Sequence, residues 1–298
     1  MAIDTPVAFI IFNRPDVTER VFQAIRDAQP RKLLVISDGP RDDRPSEVEK
    51  CAAARAVIDQ VDWECEVLTN YSDTNLGCKR RVSSGIDWVF SQVEEAIILE
   101  DDCLPAPSFF QFCQTLLERY RYDDRVMAIS GNNFQGGQSR TDCSYFFSKY
   151  NYIWGWASWR RAWQHYDVKM KTWPTFIRSK CMEDICDGEE EKKFWADNFQ
   201  NVYDGLTDTW DYQWTYACWC QGALSIVPNS NLVSNIGFGA DATHTTGYSL
   251  LANLPVKDIW EINHSPFMIR DKKADLYMRD KFFKSCKNRI LKPFFKNR

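Results

Sequence analysis

The chain has 298 residues, enough for one large α/β domain or two small ones. Its 44% hydrophobic content can fill a core, while a mean hydropathy of -0.45 and the lack of any long apolar run argue against an integral membrane protein. The net charge of -4 is unevenly spread: residues 279–298 hold eight Lys/Arg against one acid, leaving about -11 on the rest, and such an acidic body argues against nucleic acid as the main partner.

Taken in order, Met1-Ala2-Ile3-Asp4-Thr5-Pro6 has no basic region or long apolar segment, so no signal peptide is expected. Residues 7–12, Val-Ala-Phe-Ile-Ile-Phe, predict a strand ended by Asn13-Arg14-Pro15-Asp16, with Asp16 capping a helix to Ala28. Leu33 to Ser37 predicts a second strand, closed by Asp38-Gly39-Pro40. A helix from Pro45 to Gln60 and a short strand from Cys65 to Leu68 follow, then a helix from Lys79 to Val93. Ala96-Ile97-Ile98-Leu99 reads as a strand buried on both faces, running into Glu100-Asp101-Asp102. Val126 to Ser130 offers another strand.

Strands alternating with helices imply βαβ units and a mostly parallel, Rossmann-like central sheet flanked by helices. Beyond Gly131 the alternation fades, and nine of the twelve tryptophans fall between Trp154 and Trp219. The expected organisation is one domain over 1–278, with a half of nucleotide-binding form (1–135) and an aromatic-rich half (136–278), followed by a tail (279–298). The eleven cysteines have no framework or zinc spacing and read as reduced thiols of a cytoplasmic protein.

Three consecutive carboxylates cannot be buried unpaired without a large desolvation cost. At the carboxyl end of a central strand they lie where an α/β sheet places its ligand crevice. Hard oxygen ligands there suit Mn²⁺ or Mg²⁺ with a substrate phosphate; a solvated turn is the alternative. Asn13 and Arg14 end the first strand, where Arg14 can neutralise a diphosphate or pack on a base. Asp38 can accept a hydrogen bond from a nucleobase or ribose, or simply form a turn with Gly39 and Pro40. Lys79-Arg80-Arg81 opens a helix, where cations oppose the dipole by roughly 0.3–1 kcal/mol each. A nearby anion explains them, and so does a solvated basic face.

Phe9-Ile-Ile-Phe-Asn-Arg-Pro, Ile36-Ser-Asp-Gly, Asn75-Leu-Gly-Cys and Ile97-Ile-Leu-Glu-Asp-Asp-Cys-Leu-Pro together resemble a GT-A glycosyltransferase of the bacterial family-2-like kind. The Glu-Asp-Asp, with Pro107-Ser108-Phe109-Phe110 after it, is also similar to the N-acetylglucosaminyltransferase I group. The resemblance implies a nucleotide-sugar donor, a divalent metal on the diphosphate and inversion at the anomeric carbon. It implies that Asp102 binds the metal, that Glu100 and Asp101 face ribose and donor sugar, and that Asp38 contacts the base. The donor it suggests is a UDP-sugar, with UDP-N-acetylglucosamine as the example, and the acceptor a glycan or lipid-linked saccharide of surface polysaccharide synthesis. The Gln-x-x-Arg-Trp motif of processive synthases is absent, which favours single transfer.

An inverting transferase needs a base for the acceptor hydroxyl. Asp211, in Thr209-Trp210-Asp211-Tyr212-Gln213-Trp214, resembles the Trp-Asp-Asp-Trp segment of the N-acetylglucosaminyltransferase I group, with Tyr212 in place of the second Asp. Asp208 and Asp204 compete for the role, and the four-residue spacing of Trp210, Trp214 and Cys218 equally fits a core helix. Trp156, beside Gly155, is the first choice for stacking on a sugar, and packing in the core is the alternative. His244 follows Gly237 and Gly239 and precedes Gly247, which suggests a loop that closes over donor, from which the ring could reach the metal or diphosphate; a structural or surface histidine is the alternative. Phe282-Phe283, Ile290-Leu291 and Phe294-Phe295, interleaved with Lys and Arg, fit an interfacial anchor on the inner face of the plasma membrane, or a terminal helix packed on the body. Two other classes stay open: a carbohydrate-binding protein without turnover, and a sugar-nucleotide pyrophosphorylase, which needs a Gly-rich loop after the first strand.

Overall fold

The computed structural model describes residues 2–238 and 252–287, the stretch 282–287 by its backbone alone. Among the described residues ten strands are formed: β1 (Val7–Ile11), β2 (Lys32–Ser37), β3 (Glu66–Tyr71), β4 (Glu95–Glu100), β5 (Cys103–Pro105), β6 (Val126–Ser130), β7 (Tyr145–Ser148), β8 (Trp156–Trp159), β9 (Leu224–Pro228) and β10 (Val233–Asn235). The helices are α1 (Pro15–Ala28), α2 (Ser46–Ala56), α3 (Gly77–Gln92), α4 (Ser108–Arg119), α5 (Arg160–Trp163), α6 (Trp173–Phe176), α7 (Cys181–Ile185), α8 (Glu189–Tyr203), α9 (Asp211–Cys220) and α10 (Lys272–Lys287).

Eight strands make one sheet in the order β3-β2-β1-β4-β8-β6-β9-β7, and β5 pairs with β10 in a small second sheet. The fold is mixed α/β, with helices flanking a Rossmann-like sheet. Strands β1 to β4 pair in parallel, whereas β8 is antiparallel to both β4 and β6, and β7 is antiparallel to β9. The chain steps outward from β1 to β3 and then crosses back to lay β4 on the other side of β1. The strand order therefore reverses between β1 and β4, and a crevice opens at their carboxyl ends. The register Ile10↔Glu100 sets the start of the triplet at that lip.

The parallel half forms for reasons visible in its residues. β1 is apolar throughout and every residue of it is buried, as a strand covered on both faces requires. α1 buries Thr18, Val21, Phe22 and Ile25, one helical stripe, and each large apolar side chain so buried contributes about 1.5–3 kcal/mol. This helix begins at Pro15, whose fixed φ suits a first turn, so Asp16 lies inside the first turn rather than capping it. Gly85 of α3 sits so close over Ile36 of β2 that a Cβ there would lie 2.6 Å from Ile36 Cγ2.

The aromatic half has more regular structure than its sequence predicts. β8 is wedged between β4 and β6, and it is launched by Gly155, whose φ of +63° and close approach to Val233 suit only glycine. One core runs from Ile3 through β1, β4 and α4 to Val233, and a second gathers Trp173, Trp195, Phe199, Tyr212 and Trp219. The ten cysteines with described side chains are free thiols. Among the described residues, no helix is long and apolar enough to cross a membrane.

Candidate active site

The crevice lip is built from two turns. The turn after β1 carries Asn13, half-buried, and Arg14. The turn after β4 carries Glu100, Asp101 and Asp102, and it is held from beyond by the small sheet: Ile236 N–H donates to the Asp102 carbonyl at 2.8 Å. Gly237 then lies so close that a Cβ there would fall 2.6 Å from Asp102 Cβ and 2.7 Å from Arg14 Nη1. Glycine is what lets this strand end close the back of the lip.

Arg14 is the cation of the site. Its Nη2 donates to Asp101 Oδ1 and, at 3.0 Å, to Asp102 Oδ2, and its guanidinium stays charged against burial because of those two carboxylates. Its buried Nε has no partner among the described residues. Asp101 also accepts from Phe12 N–H at 3.3 Å. Although expected to face donor hydroxyls, Asp101 is turned inward, its side chain 5% exposed, and it orients Arg14 instead. Burial pushes it up to about 6, with Arg14 opposing, so it is ionised at neutral pH. Asp102 is the more open of the pair, with 17% of its side chain exposed, and it also accepts a long contact from Cys103 Sγ at 3.5 Å. Burial pushes Glu100 up to about 8, and Asp102 and Asp101 add to the shift.

The Asp101–Asp102 pair outnumbers the one guanidinium, and a divalent cation beside Asp102 would balance the surplus and favour loss of the Glu100 proton. Among the described residues, no three His, Cys, Asp or Glu side chains come together as a metal cage. A site that leans on one or two carboxylates and completes its shell with substrate phosphate and water is the usual habit of Mg²⁺ and related hard ions. The residues fit such an ion, with Asp102 the best-placed ligand. His244 lies outside the described residues.

Asp38, expected to contact the base, has another task. Its carboxylate accepts from Gly39 N–H at 3.0 Å, Leu76 N–H at 2.9 Å and Gly77 N–H at 3.1 Å, tying the end of β2 to the start of α3. Burial raises its pKa, while those N–H groups act the other way. An acid at a helix N-terminus also suits the dipole. Of the three cations opening α3, Arg81 is buried and fixes the strand ends: its Nε donates to Ser37 O at 3.2 Å and its Nη2 to Asn70 Oδ1 at 2.7 Å. Arg80 is exposed in the first turn and Lys79 is half-buried beside it; neither has an ion pair among the described residues, so both can meet a solute anion, Arg80 the more openly.

Across the crevice, Asp211 opens α9. Its Oδ1 accepts from Thr209 Oγ1; its Oδ2 is buried with no well-aligned hydrogen-bond partner among the described residues, although the Asp211 and Tyr212 N–H groups lie close enough to favour the charged carboxylate. Burial pushes it up to about 6. Its charge acts on Glu100 and on Cys78, whose thiol is driven well up by burial and by Glu100, Asp211, Asp208 and Asp38. Asp208 Oδ2 lies 3.2 Å from the Cβ position of Gly77, so the approach to α9 abuts the start of α3. The Asn75-Leu76-Gly77-Cys78 run and Gly237 stand out in the sequence, but their places beside the Glu100 and Asp102 carboxylates do not.

Trp156 does not reach the crevice. It is 1% exposed in β8 and packs on Trp210 at 5.8 Å and Trp214 at 5.7 Å, so the stacking role expected for it gives way to a core role. Trp156→Ala should cost about 3–5 kcal/mol in chemical unfolding, the usual range for emptying a buried aromatic site. Unchanged stability would place the ring outside the core.

No family model and no curated protein matches the chain. Among solved structures, a UDP-glucose pyrophosphorylase complexed with UDP-glucose superposes on 51% of this chain with a TM-score of 0.29 and 9% identity. The chain spans 64% of that protein's length, and at this level the likeness adds nothing to the reading of the site.

Proposed function

We propose that the chain is an inverting, metal-dependent glycosyltransferase that moves a sugar from a nucleoside-diphosphate sugar to a hydroxyl of a glycan or lipid-linked saccharide. One observation carries this: a carboxylate-rich lip at the β1/β4 reversal faces a second buried carboxylate, Asp211, whose Oδ2 has no well-aligned hydrogen-bond partner among the described residues. Buried polar atoms are ordinarily paired, and a carboxylate oxygen that has only its own helix N-terminus near it, beside a ligand crevice, fits a base awaiting its proton donor.

In this reading Asp211 Oδ2 takes the proton of the acceptor hydroxyl as its oxygen attacks the anomeric carbon. The bond from that carbon to the diphosphate oxygen breaks, and its electron pair leaves with the nucleoside diphosphate. Asp102 would hold Mn²⁺ or Mg²⁺, which when bound supplies charge stabilisation for the departing diphosphate. Arg14 keeps Asp102 in place, Glu100 is the acid left to meet a donor hydroxyl, and Arg80 meets the diphosphate from the start of α3. A UDP-sugar is the favoured donor, UDP-N-acetylglucosamine among the possibilities. The pyrophosphorylase alternative is disfavoured because Phe12-Asn13-Arg14-Pro15-Asp16 offers no glycine-rich loop after β1. The test is hydrolysis and transfer across a panel of nucleotide sugars with Mn²⁺ or EDTA. Turnover of one donor, lost in EDTA and lowered at least about a hundredfold in Asp102→Asn, is the expected result.

A further inference from the structure

The segment leading into α10 presents two large apolar side chains to solvent: Phe267 is 67% and Ile269 73% exposed. The backbone around them is pinned. Asn263 exchanges bonds with Ser144, Ser265 Oγ closes the turn by donating to Phe267 O at 2.8 Å, and Asp271 N–H donates to Phe147 O at 2.7 Å beside the edge of β7. These side chains therefore project from a fixed ledge. Both line a cavity of about 400 Å³ together with Arg140, Lys272 and Lys273.

The charge around that cavity is positive after ion pairs are taken into account. Arg270 and Lys272 are engaged with Asp187, and Asp271 caps α10 by accepting from Ala274 N–H at 2.9 Å. Lys273 is exposed and has no ion pair among the described residues. Arg140 has no acidic partner; its Nε donates to Gln135 Oε1 at 2.6 Å and its buried Nη2 has no partner among the described residues. Arg140 and Lys281 both lie against the Tyr277 ring, at 4.6 and 4.8 Å, which holds two cations on one side of α10. Along the sequence, residues 282–298 add six Lys/Arg and no acid.

We infer that this ledge is a docking surface for an anionic phospholipid bilayer, with Phe267 and Ile269 entering the headgroup boundary and Arg140 and Lys273 meeting lipid phosphate. Two apolar side chains on a fixed support, flanked by unneutralised cations on an otherwise acidic chain, match an interface that is apolar inside and negative at its surface. The surface lies within residues 140–281 and is separate from the basic segment after it.

The full chain is tested by co-sedimentation with vesicles of phosphatidylcholine alone and with phosphatidylglycerol added. Binding to the anionic vesicles is expected to be at least about tenfold tighter, falling about fivefold or more in Phe267→Ser/Ile269→Ser and in Arg140→Gln/Lys273→Glu. Four results would overturn the inference. One is no preference for anionic vesicles; another is parental binding by both double variants, which assigns the attraction to residues 282–298. The third is full displacement by inorganic phosphate with no effect of the serine variants, which marks a small-anion site. The last is a dimer dissolved by the serine variants without vesicle binding, which marks a contact between copies. Vesicle binding is read without sugar transfer, so its failure leaves the transferase reading untouched, and the reverse holds too.

Discussion

Asp211→Asn is expected to lower kcat by about 10²–10⁴-fold while leaving the KM for donor nearly unchanged, because the side chain acts on the acceptor proton and not on donor binding. Burial pushes Asp211 up to about 6, so the parent should lose kcat as the pH falls through that value and the base becomes protonated. The substitution should abolish this limb. Stability moves the other way. A folded-state pKa raised above the unfolded value means that the folded chain binds the proton more tightly, so this group's contribution declines as pH rises from about 4 to about 6. The rise from an ordinary carboxylate to about 6 corresponds to about 3 kcal/mol of buried-charge penalty at neutral pH. Asp211→Asn should therefore unfold no earlier than the parent at pH 8, since Thr209 Oγ1 can still donate to the amide oxygen. An inactive variant with unimpaired stability separates a chemical role from a packing role. If both fall together, Asp211 is a core residue of α9, and Asp208 becomes the base to test.

Arg14→Met is expected to destabilise the fold by about 3–5 kcal/mol at pH 8, the penalty for removing one partner of a buried ion pair. The Asp101 and Asp102 side chains are then left without the guanidinium they share, beside Glu100. The deficit should shrink as pH falls. Without Arg14 the Asp101 carboxyl loses the group that opposes its burial and rises further above its present value of about 6, so by pH 5.5 a proton has removed one of the two unpaired charges. Urea unfolding at the two pH values measures this. A loss under about 1 kcal/mol at pH 8 would mark the pair as an exposed one of small worth.

The crevice was legible because its strands are simple. Val7–Ile11 and Glu95–Glu100 are apolar runs between polar turns, and α1 has a clean stripe, so parallel strands with a ligand crevice at their carboxyl ends could be expected from the chain, though not the order that lays β4 beside β1. The division of labour inside the crevice was not. Asp101, Asp38 and Arg81 look like ligand-binding groups in sequence because nothing local shows where their partners are. Asp101 finds Arg14 across the strand reversal, Asp38 finds the start of α3, and Arg81 finds strand-end carbonyls. Such long-range pairings satisfy backbone and charge before a substrate does. The aromatic half was misread for a related reason. β8 is Trp156-Ala157-Ser158-Trp159, too short for a period of two to stand out, and tryptophans that look like a sugar platform are the packing of an inserted antiparallel strand. The small sheet of β5 and β10 has strands of three residues and left no periodic signal at all.

The claim that the β1/β4 lip binds and activates a nucleotide sugar is tested most directly by one measurement: release of nucleoside diphosphate from a panel of nucleotide sugars, with Mn²⁺ or EDTA, by the parent chain and Asp102→Asn. Metal-dependent release from one donor, abolished by EDTA and reduced at least about a hundredfold by the substitution, is the predicted result. Binding of a sugar or nucleotide without turnover, equal in EDTA and in Asp102→Asn, would contradict it.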